Sequence, residues 1–399
     1  MKILASGMEW AEHRPGGLNH YFADYLKAMV EYGHVVEGHL SLEHKPHQAP
    51  SYIQDISAGS KKLGAIQRVR SFQASIKRRT PDFKPDVFNP HFGLYASMVT
   101  RKAIPNNVPI VTHFHGPWAQ ESLVEDRSGS LLKLLKYKCK HKIELETYHR
   151  SDGFIVLSDY FGELLAREYN ISPERIHRVP GAADVTRFRP AENRVALREE
   201  LGIREDQTLL FCARRLVRRM GIDRLIMAMS QVIAAHPNTI LCIAGQGAMR
   251  EELEQLIAQR QLQASVKLLG RVSDEALVKW YQAADLSIVP TITLEGFGLV
   301  TTESLACGTP VLGTPYGGTK EILEPLSPEL LFKDGSSIAI ASKLISVLRG
   351  DCQLPTREQC NSYVLERYTW KQASQSITAI FEQAIEQRKE VTQYESSLL

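Results

Sequence analysis

Short apolar runs recur along this chain with helix-period segments between them, and that alternation leaves few folds open. The first half offers strands at Lys2–Ser6, Val35–Leu40, Val87–Phe92, Pro109–His115, Gly153–Ser158 and Arg175–Val179. The second half repeats the plan at Thr208–Ala213, Thr239–Ala244, Val266–Leu269, Leu286–Pro290, Pro310–Gly313 and Leu330–Phe332. Between them lie helical patterns such as Leu18, Phe22, Tyr25, Leu26 and Met29, which share one face at the spacing of a buried helix side. Strands and helices in strict turn build a parallel sheet covered on both faces. The predicted class is therefore α/β, with two doubly wound, Rossmann-like domains in one chain. The alternation breaks around Asp184 to Glu205, near Pro190, so the boundary is set at 1–184 and 185–368. Thr369 with Gln372 forms a capping box that starts a last helix, about 369–388, and the polar tail from Lys389 is expected to fray.

The densest stretch is Thr291 to Gly318, TITLEGFGLVTTESLACGTPVLGTPYGG. A buried strand leads into the loop Thr293–Gly298, whose glycines let the backbone approach a ligand closely. A helix predicted from Leu299 to Ala306 turns its free amides and positive dipole end toward that loop, as a phosphate requires. Glu295 precedes the helix and Glu303 lies on it. Carboxylates accept hydrogen bonds from hydroxyls, so the pattern suits a ligand that is both phosphate and polyol. Either glutamate alone is most simply a solvated side chain; the combination is what carries meaning.

The run EGFGLVTTE, continued by ESLACGTPVLGTPYGGTKEIL, resembles the E-x7-E motif of the retaining glycosyltransferases of family 4, which have the GT-B fold. The resemblance implies two Rossmann-like domains facing across a cleft, the first for the acceptor and the second for a nucleotide sugar. It further implies that the last helix crosses back onto the first domain. Glu295 takes a place near the donor sugar, Glu303 binds the ribose, and the amides of Gly296, Phe297, Gly298, Leu299 and Val300 hold the diphosphate.

Further matches extend over residues 1 to 388. Gly16-Gly17 before the first helix resembles the family's diphosphate loop, with Gly17 at the contact. His115, at the end of Val111-Thr112-His113-Phe114-His115-Gly116, matches a strand-end histidine beside the donor sugar, and Glu121 is set toward the acceptor. A zinc pair of His113 and His115 is the other reading of that strand, but no third ligand is placed nearby. After Thr208–Ala213 the chain reads Arg214-Arg215-Leu216-Val217-Arg218-Arg219-Met220-Gly221. Guanidinium groups suit a diphosphate. The family pattern G-R-L-x-x-x-K-G places its arginine at Arg215, but its lysine position holds Met220. Arg219 is expected to supply the missing cation. Gly245 and Gly247 resemble a turn below the nucleotide, and Arg271-Val272 a base-binding segment. The hinge Pro180-Gly181-Ala182-Ala183-Asp184 resembles the family's PNGVD with Gly for Asn and Ala for Gly, and that alanine requires a negative φ.

Charge is uneven. From Lys61 to Lys142 there are sixteen Lys or Arg against five Asp or Glu, while the whole chain carries only +3. Such a block fits an anionic partner, phospholipid before nucleic acid, or else a solvated face. In the helix predicted over Leu131–Tyr148 the lysines spread too widely for a clean amphipathic anchor. The six cysteines show no metal spacing and no C-x-x-C pair, which fits a reducing, cytoplasmic protein. No apolar run is long enough to cross a bilayer, and MKILASGMEW reads as a strand, not a leader. Membrane contact is then peripheral at most.

The resemblance implies a metal-independent hexosyltransferase with no cofactor beyond its nucleotide-sugar co-substrate, UDP-sugar ahead of GDP-sugar, serving polysaccharide or glycoconjugate synthesis. No D-x-D motif occurs to clamp a metal. Two rivals stand beside it. Met220 favours a donor-binding scaffold without activity, and a GT-B epimerase or hydrolase would need no acceptor.

Overall fold

The computed structural model describes residues 1–12, 14, 16–42, 49–57, 63–126 and 130–397. Pro15 of the glycine turn and Lys61, Lys62 and Arg127 of the basic block lie outside the described residues. The chain forms two compact units, Met1–Gly181 with Trp370–Leu399, and Ala182–Thr369.

The first unit contains β1 (Lys2–Glu9), β2 (Val35–Ser41), β3 (Ile53–Asp55), β4 (Val87–Pro90), β5 (Val111–Phe114), β6 (Gly153–Val156) and β7 (Ile176–Arg178). They pair in the orders β3-β2-β1-β4 and β5-β6-β7, all parallel, and a parallel bridge between Phe88 and Ile110 joins the two ladders. Strand order thus reverses between β1 and β4. The last helix, Trp370–Ser397, belongs to this unit and buries Ala373, Ile377 and Phe381.

The second unit contains β8 (Thr208–Ala213), β9 (Thr239–Ala244), β10 (Val266–Gly270), β11 (Leu286–Val289) and β12 (Val311–Gly313), in the parallel order β10-β9-β8-β11-β12. Leu209, Leu210, Phe211 and Cys212 of β8 are all buried, as a central parallel strand covered on both faces demands. Here the order reverses between β8 and β11. In open parallel sheets the crevice at the carboxyl ends beside such a reversal is where ligands bind.

Three local expectations change. β3 has three residues and no apolar pattern, so periodicity does not reveal it. Leu330–Phe332 is not a strand: Pro328–Leu330 forms a 3-10 turn, and only Leu331 bridges Gly313. The final helix does not stop near Arg388 but runs to Ser397, because Lys389 to Glu395 holds neither glycine nor proline to end it. At the hinge neither alanine is strained; the described non-glycine residues with positive φ are Lys84, Asn170, Gln261 and Leu294.

Candidate active site

In the second unit the reversal point brings the loop after β8 against the loop after β11. Ile292 N–H donates to the Arg219 carbonyl at 2.9 Å, and Arg219 Nη1 donates to the Leu294 carbonyl at 2.9 Å. Gly221, at φ +66, is obligatory here, since a Cβ would strike the Pro290 carbonyl. Leu294 sits at φ 54, a conformation that costs a residue with a Cβ about 1–2 kcal/mol. Arg219 braces that strained residue. Its side chain is 5% exposed and gives one N–H to the loop carbonyl, where the sequence set it on a phosphate.

Glu295 follows at once and is 7% exposed. Arg214 Nη2 stands 2.8 Å from its Oε2, with both side chains buried. The pair is close but out of hydrogen-bonding alignment, so among the described residues Arg214 Nε, Arg214 Nη2 and Glu295 Oε2 have no hydrogen-bond partner. Behind Glu295, Gly318 N–H donates to its carbonyl at 2.9 Å, and a Cβ at Gly317 would collide with the same carbonyl. The helix Leu299–Ala306 then begins at Gly298, φ +92, an N-cap residue with no side chain to cap the first amides. Gly296, Phe297, Leu299 and Val300 surround that open helix start. Glu303, half-buried on the helix, accepts from the Tyr281 hydroxyl at 3.1 Å. Burial, and then the Glu303 charge, push the Tyr281 phenol well above its ordinary value, while Arg214 pulls the other way. Arg214 thus acts on Glu295 and on the tyrosine that bonds Glu303.

The remaining arginines differ in setting. Arg215 is exposed, and exposed Arg218 lies 3.7 Å from Glu252. Met220 is buried and its Sδ accepts from Thr291 Oγ1 at 3.7 Å, a contact that a lysine ammonium would not make. The neighbouring strand ends supply Gly245 and Gly247. Both serve the backbone of the β8 loop, because a Cβ at either would hit the carbonyl of Arg214 or Leu216. Gly245 N–H donates to the Gly270 carbonyl at 2.8 Å, which sets exposed Arg271 and half-buried Val272 beside that turn.

In the first unit Gly17 opens the helix Gly17–Glu31, whose N-cap Gly16 offers no side-chain cap. A Cβ at Gly17 would meet nothing within 4 Å, so packing does not require glycine there. One turn on, the Tyr21 ring meets His115 edge-on at 4.9 Å. His115 Nε2 lies 3.0 Å from His91 Nδ1. Burial lowers the His115 imidazole to about 3 and holds His91 and His113 well below their ordinary value. Three neutral imidazoles result. Glu121 lies on the helix Trp118–Glu125, its Oε1 3.1 Å from the space a Cβ of Gly116 would take. Glu144 caps that helix from outside, accepting from Trp118 N–H at 2.8 Å and Ala119 N–H at 3.1 Å. Among the described residues no three His, Cys, Asp or Glu side chains are disposed to hold a metal, and the partner of His113 is Asn89.

A cavity of about 650 Å³ lies elsewhere, among Lys77, Lys84 and Lys102 at the N-terminal end of β4, opposite the His91 end. Reasoning from sequence missed Arg214, which it saw only as one arginine in four, and Tyr281, Asn89 and His91, whose roles arise from strand adjacency.

Two family descriptions tile the chain: Glycosyltransferase Family 4 over residues 15–187 and Glycosyl transferases group 1 over residues 193–367. The chain belongs to the family 4 glycosyltransferases. One relative is the GDP-mannose-dependent monoacylated alpha-(1-6)-phosphatidylinositol monomannoside mannosyltransferase of Corynebacterium glutamicum, 33% identical over 51% of this chain and 55% of its own. The chain spans about half the length of the first curated relatives it matches. Among solved structures, sucrose-phosphate synthase from Thermosynechococcus elongatus superposes with a TM-score of 0.79 at 20% identity, over 96% of this chain and 98% of its own. Anabaena HepE in complex with UDP-glucose gives 0.71 at 18% identity, over 98% and 100%. These likenesses are of fold, and both units share the GT-B plan of Rossmann-like domains.

Proposed function

We propose that this chain moves a hexosyl unit from a nucleoside diphosphate sugar to a carbohydrate or lipid-linked acceptor, with retention at the anomeric carbon. The observation that carries the reading is the reversal point of the second unit, where an uncapped helix start stands between two carboxylates. Phosphate oxygens meet the amides of that helix and exposed Arg215, ribose hydroxyls meet Glu303, and sugar hydroxyls meet Glu295. Charge that develops on the departing diphosphate is stabilised by the same amides and Arg215. Attack comes from the face the diphosphate leaves, and the leaving phosphate takes the acceptor proton. No metal takes part, in keeping with the lack of a D-x-D motif. Gly17, His115 and Glu121 keep the roles that the family resemblance gives them.

The expectation of a uridine base gains no support from the Corynebacterium relative, whose name gives GDP-mannose, while HepE binds UDP-glucose. Thermal shift against UDP-glucose, UDP-galactose, UDP-N-acetylglucosamine and GDP-mannose selects the donor, since a bound ligand stabilises the native state. Turnover with that donor then tests the reaction. Binding without transfer or nucleotide release would replace the reading by a scaffold, which Met220 in the lysine position favours. Nucleotide release independent of any acceptor would mark a hydrolase, and an epimerised donor an epimerase.

Peripheral contact with anionic membrane belongs to the same proposal. Leu131, Leu132, Leu134 and Leu135 are exposed on the helix Ser130–Tyr148 beside Lys133, Lys136 and Lys138. Exposed leucines among lysines suit an acyl surface with anionic headgroups. No described helix is long and apolar enough to cross a membrane.

A further inference from the structure

The clustered histidines of the first unit form an ordered chain of hydrogen bonds whose direction can be read. Asn89, on β4, places Nδ2 2.5 Å from the Val111 carbonyl, which only accepts. The Asn89 amide is thereby oriented, and its Oδ1 faces His91 Nε2 at 2.8 Å. An oxygen only accepts there, so His91 carries its proton on Nε2 and leaves Nδ1 bare. His91 Nδ1 in turn lies 3.0 Å from His115 Nε2. Two bare nitrogens would repel at that distance, so His115 Nε2 must donate.

We infer that Asn89 and His91 are positioning residues that fix His115 as its Nε2–H tautomer and so leave Nδ1 as a bare acceptor. Packing supports the assignment. The His91 ring stacks on His113 at 4.2 Å and on His115 at 5.1 Å, and Phe22 and Tyr25 close on His91 at 4.7 Å each. The His91 ring is thus packed on several sides by aromatic rings. Burial keeps all three imidazoles neutral, which a directional chain of this kind needs. Among the described residues Nδ1 of His115 has no hydrogen-bond partner. It is suited to take a hydrogen bond from a sugar hydroxyl, and it has no proton to give to a leaving group or an oxyanion. This part rests on the reading of His115 as a residue of the sugar site.

Long-range nitrogen–proton correlation spectra of the full chain, labelled at histidine, decide the tautomer without any substrate. The His115 signals are identified by their loss in His115→Gln. The expected spectrum shows a protonated Nε2 and a bare Nδ1 on His115 at neutral pH. His91→Leu and Asn89→Leu should turn that single state into a tautomer mixture. His91→Gln should restore it, because a side-chain carbonyl can accept from His115 Nε2. A His115 proton on Nδ1 in the unsubstituted protein overturns the inference, and so does an unchanged tautomer in both leucine variants. Should either variant fail to fold, the unsubstituted spectrum still decides. Once a donor is known, His91→Leu should lower kcat about 10–100-fold, the range for groups that orient a functional imidazole, with KM little changed and recovery in His91→Gln. If the tautomer is as expected but kcat does not move, the chain of bonds stands and the sugar-site reading of His115 falls.

Discussion

The buried pair of Arg214 and Glu295 permits a quantitative test of how the reversal point is held. Arg214→Ala leaves Glu295, 7% exposed, without the cation that stands 2.8 Å from it. Two charge centres about 4 Å apart attract by about 4 kcal/mol at an effective dielectric near 20. Desolvation of both ions offsets much of that in the intact protein, but the substitution removes the attraction and keeps the buried carboxylate. Losing one partner of such a pair costs about 3–5 kcal/mol. Hydrogen exchange resolves the effect by unit, which global unfolding of a two-unit chain does not. Amides of β8 and β11 that exchange through opening of the second unit should exchange about 150–4,000-fold faster, by about 1.4 kcal/mol for each factor of ten. Amides of β1 and β5, in the other unit, serve as the internal control. Adding Glu295→Gln to Arg214→Met should recover most of the loss, since a neutral pair replaces an orphaned ion. A change below about 1 kcal/mol in Arg214→Ala would refute the reasoning and show that water reaches Glu295 freely.

Further outcomes concern other parts of the molecule. Gly17→Ala should leave stability unchanged or raise it by about 0.4–1 kcal/mol, because the Cβ enters open space at a helix start, yet it should weaken stabilisation by the donor; loss of stability with unchanged donor binding would assign the glycine to packing. Glu37 is buried, which works against its charge, but bonds from His39 and Arg79 hold its carboxyl at about 2 against an ordinary 4.5. A depressed carboxyl contributes stability above its unfolded value that is lost as pH falls toward the folded one, so the first unit should lose about 1–3 kcal/mol between pH 4.5 and 2, and Arg79→Ala should flatten that loss in thermal unfolding. Leu132→Glu with Leu135→Glu should abolish sedimentation with phosphatidylglycerol vesicles at low salt without lowering the melting temperature; equal binding by both proteins would return the helix Ser130–Tyr148 to a solvated face.

Much of the architecture can be read from composition in short windows. Thr208–Ala213 and Thr239–Ala244 are strands with the expected bounds, because a run of apolar residues buried on both faces has little other use. Leu299–Ala306 is likewise the helix that the glycine loop announces. What is not legible depends on register between distant segments. Nothing near Arg214 says that it, and not Arg219, meets Glu295; that follows from β8 lying beside β11. Asn89 and His91 become partners of His113 and His115 only because β4 lies beside β5. Met220 reads as a lost cation in the sequence, whereas the structure gives it a buried sulfur contact with Thr291.

The assignment of Trp370–Ser397 to the first unit has a consequence for the order in which the chain is made. Trp370 packs against Tyr21 at 5.1 Å, Thr378 Oγ1 lies 2.8 Å from His34 Nε2, and Arg388 Nη1 reaches Asp152 at 3.3 Å. A ribosome working at about 5–20 residues per second leaves Met1–Gly181 without those partners for about 10–40 s while Ala182–Thr369 emerges. During that interval the apolar surface meant for Ile377 and Phe381 is bare. The second unit, whose residues are contiguous, can finish first although it is synthesised later. Nascent chains stalled before Trp370 are thus where chaperone capture and aggregation of this protein should concentrate.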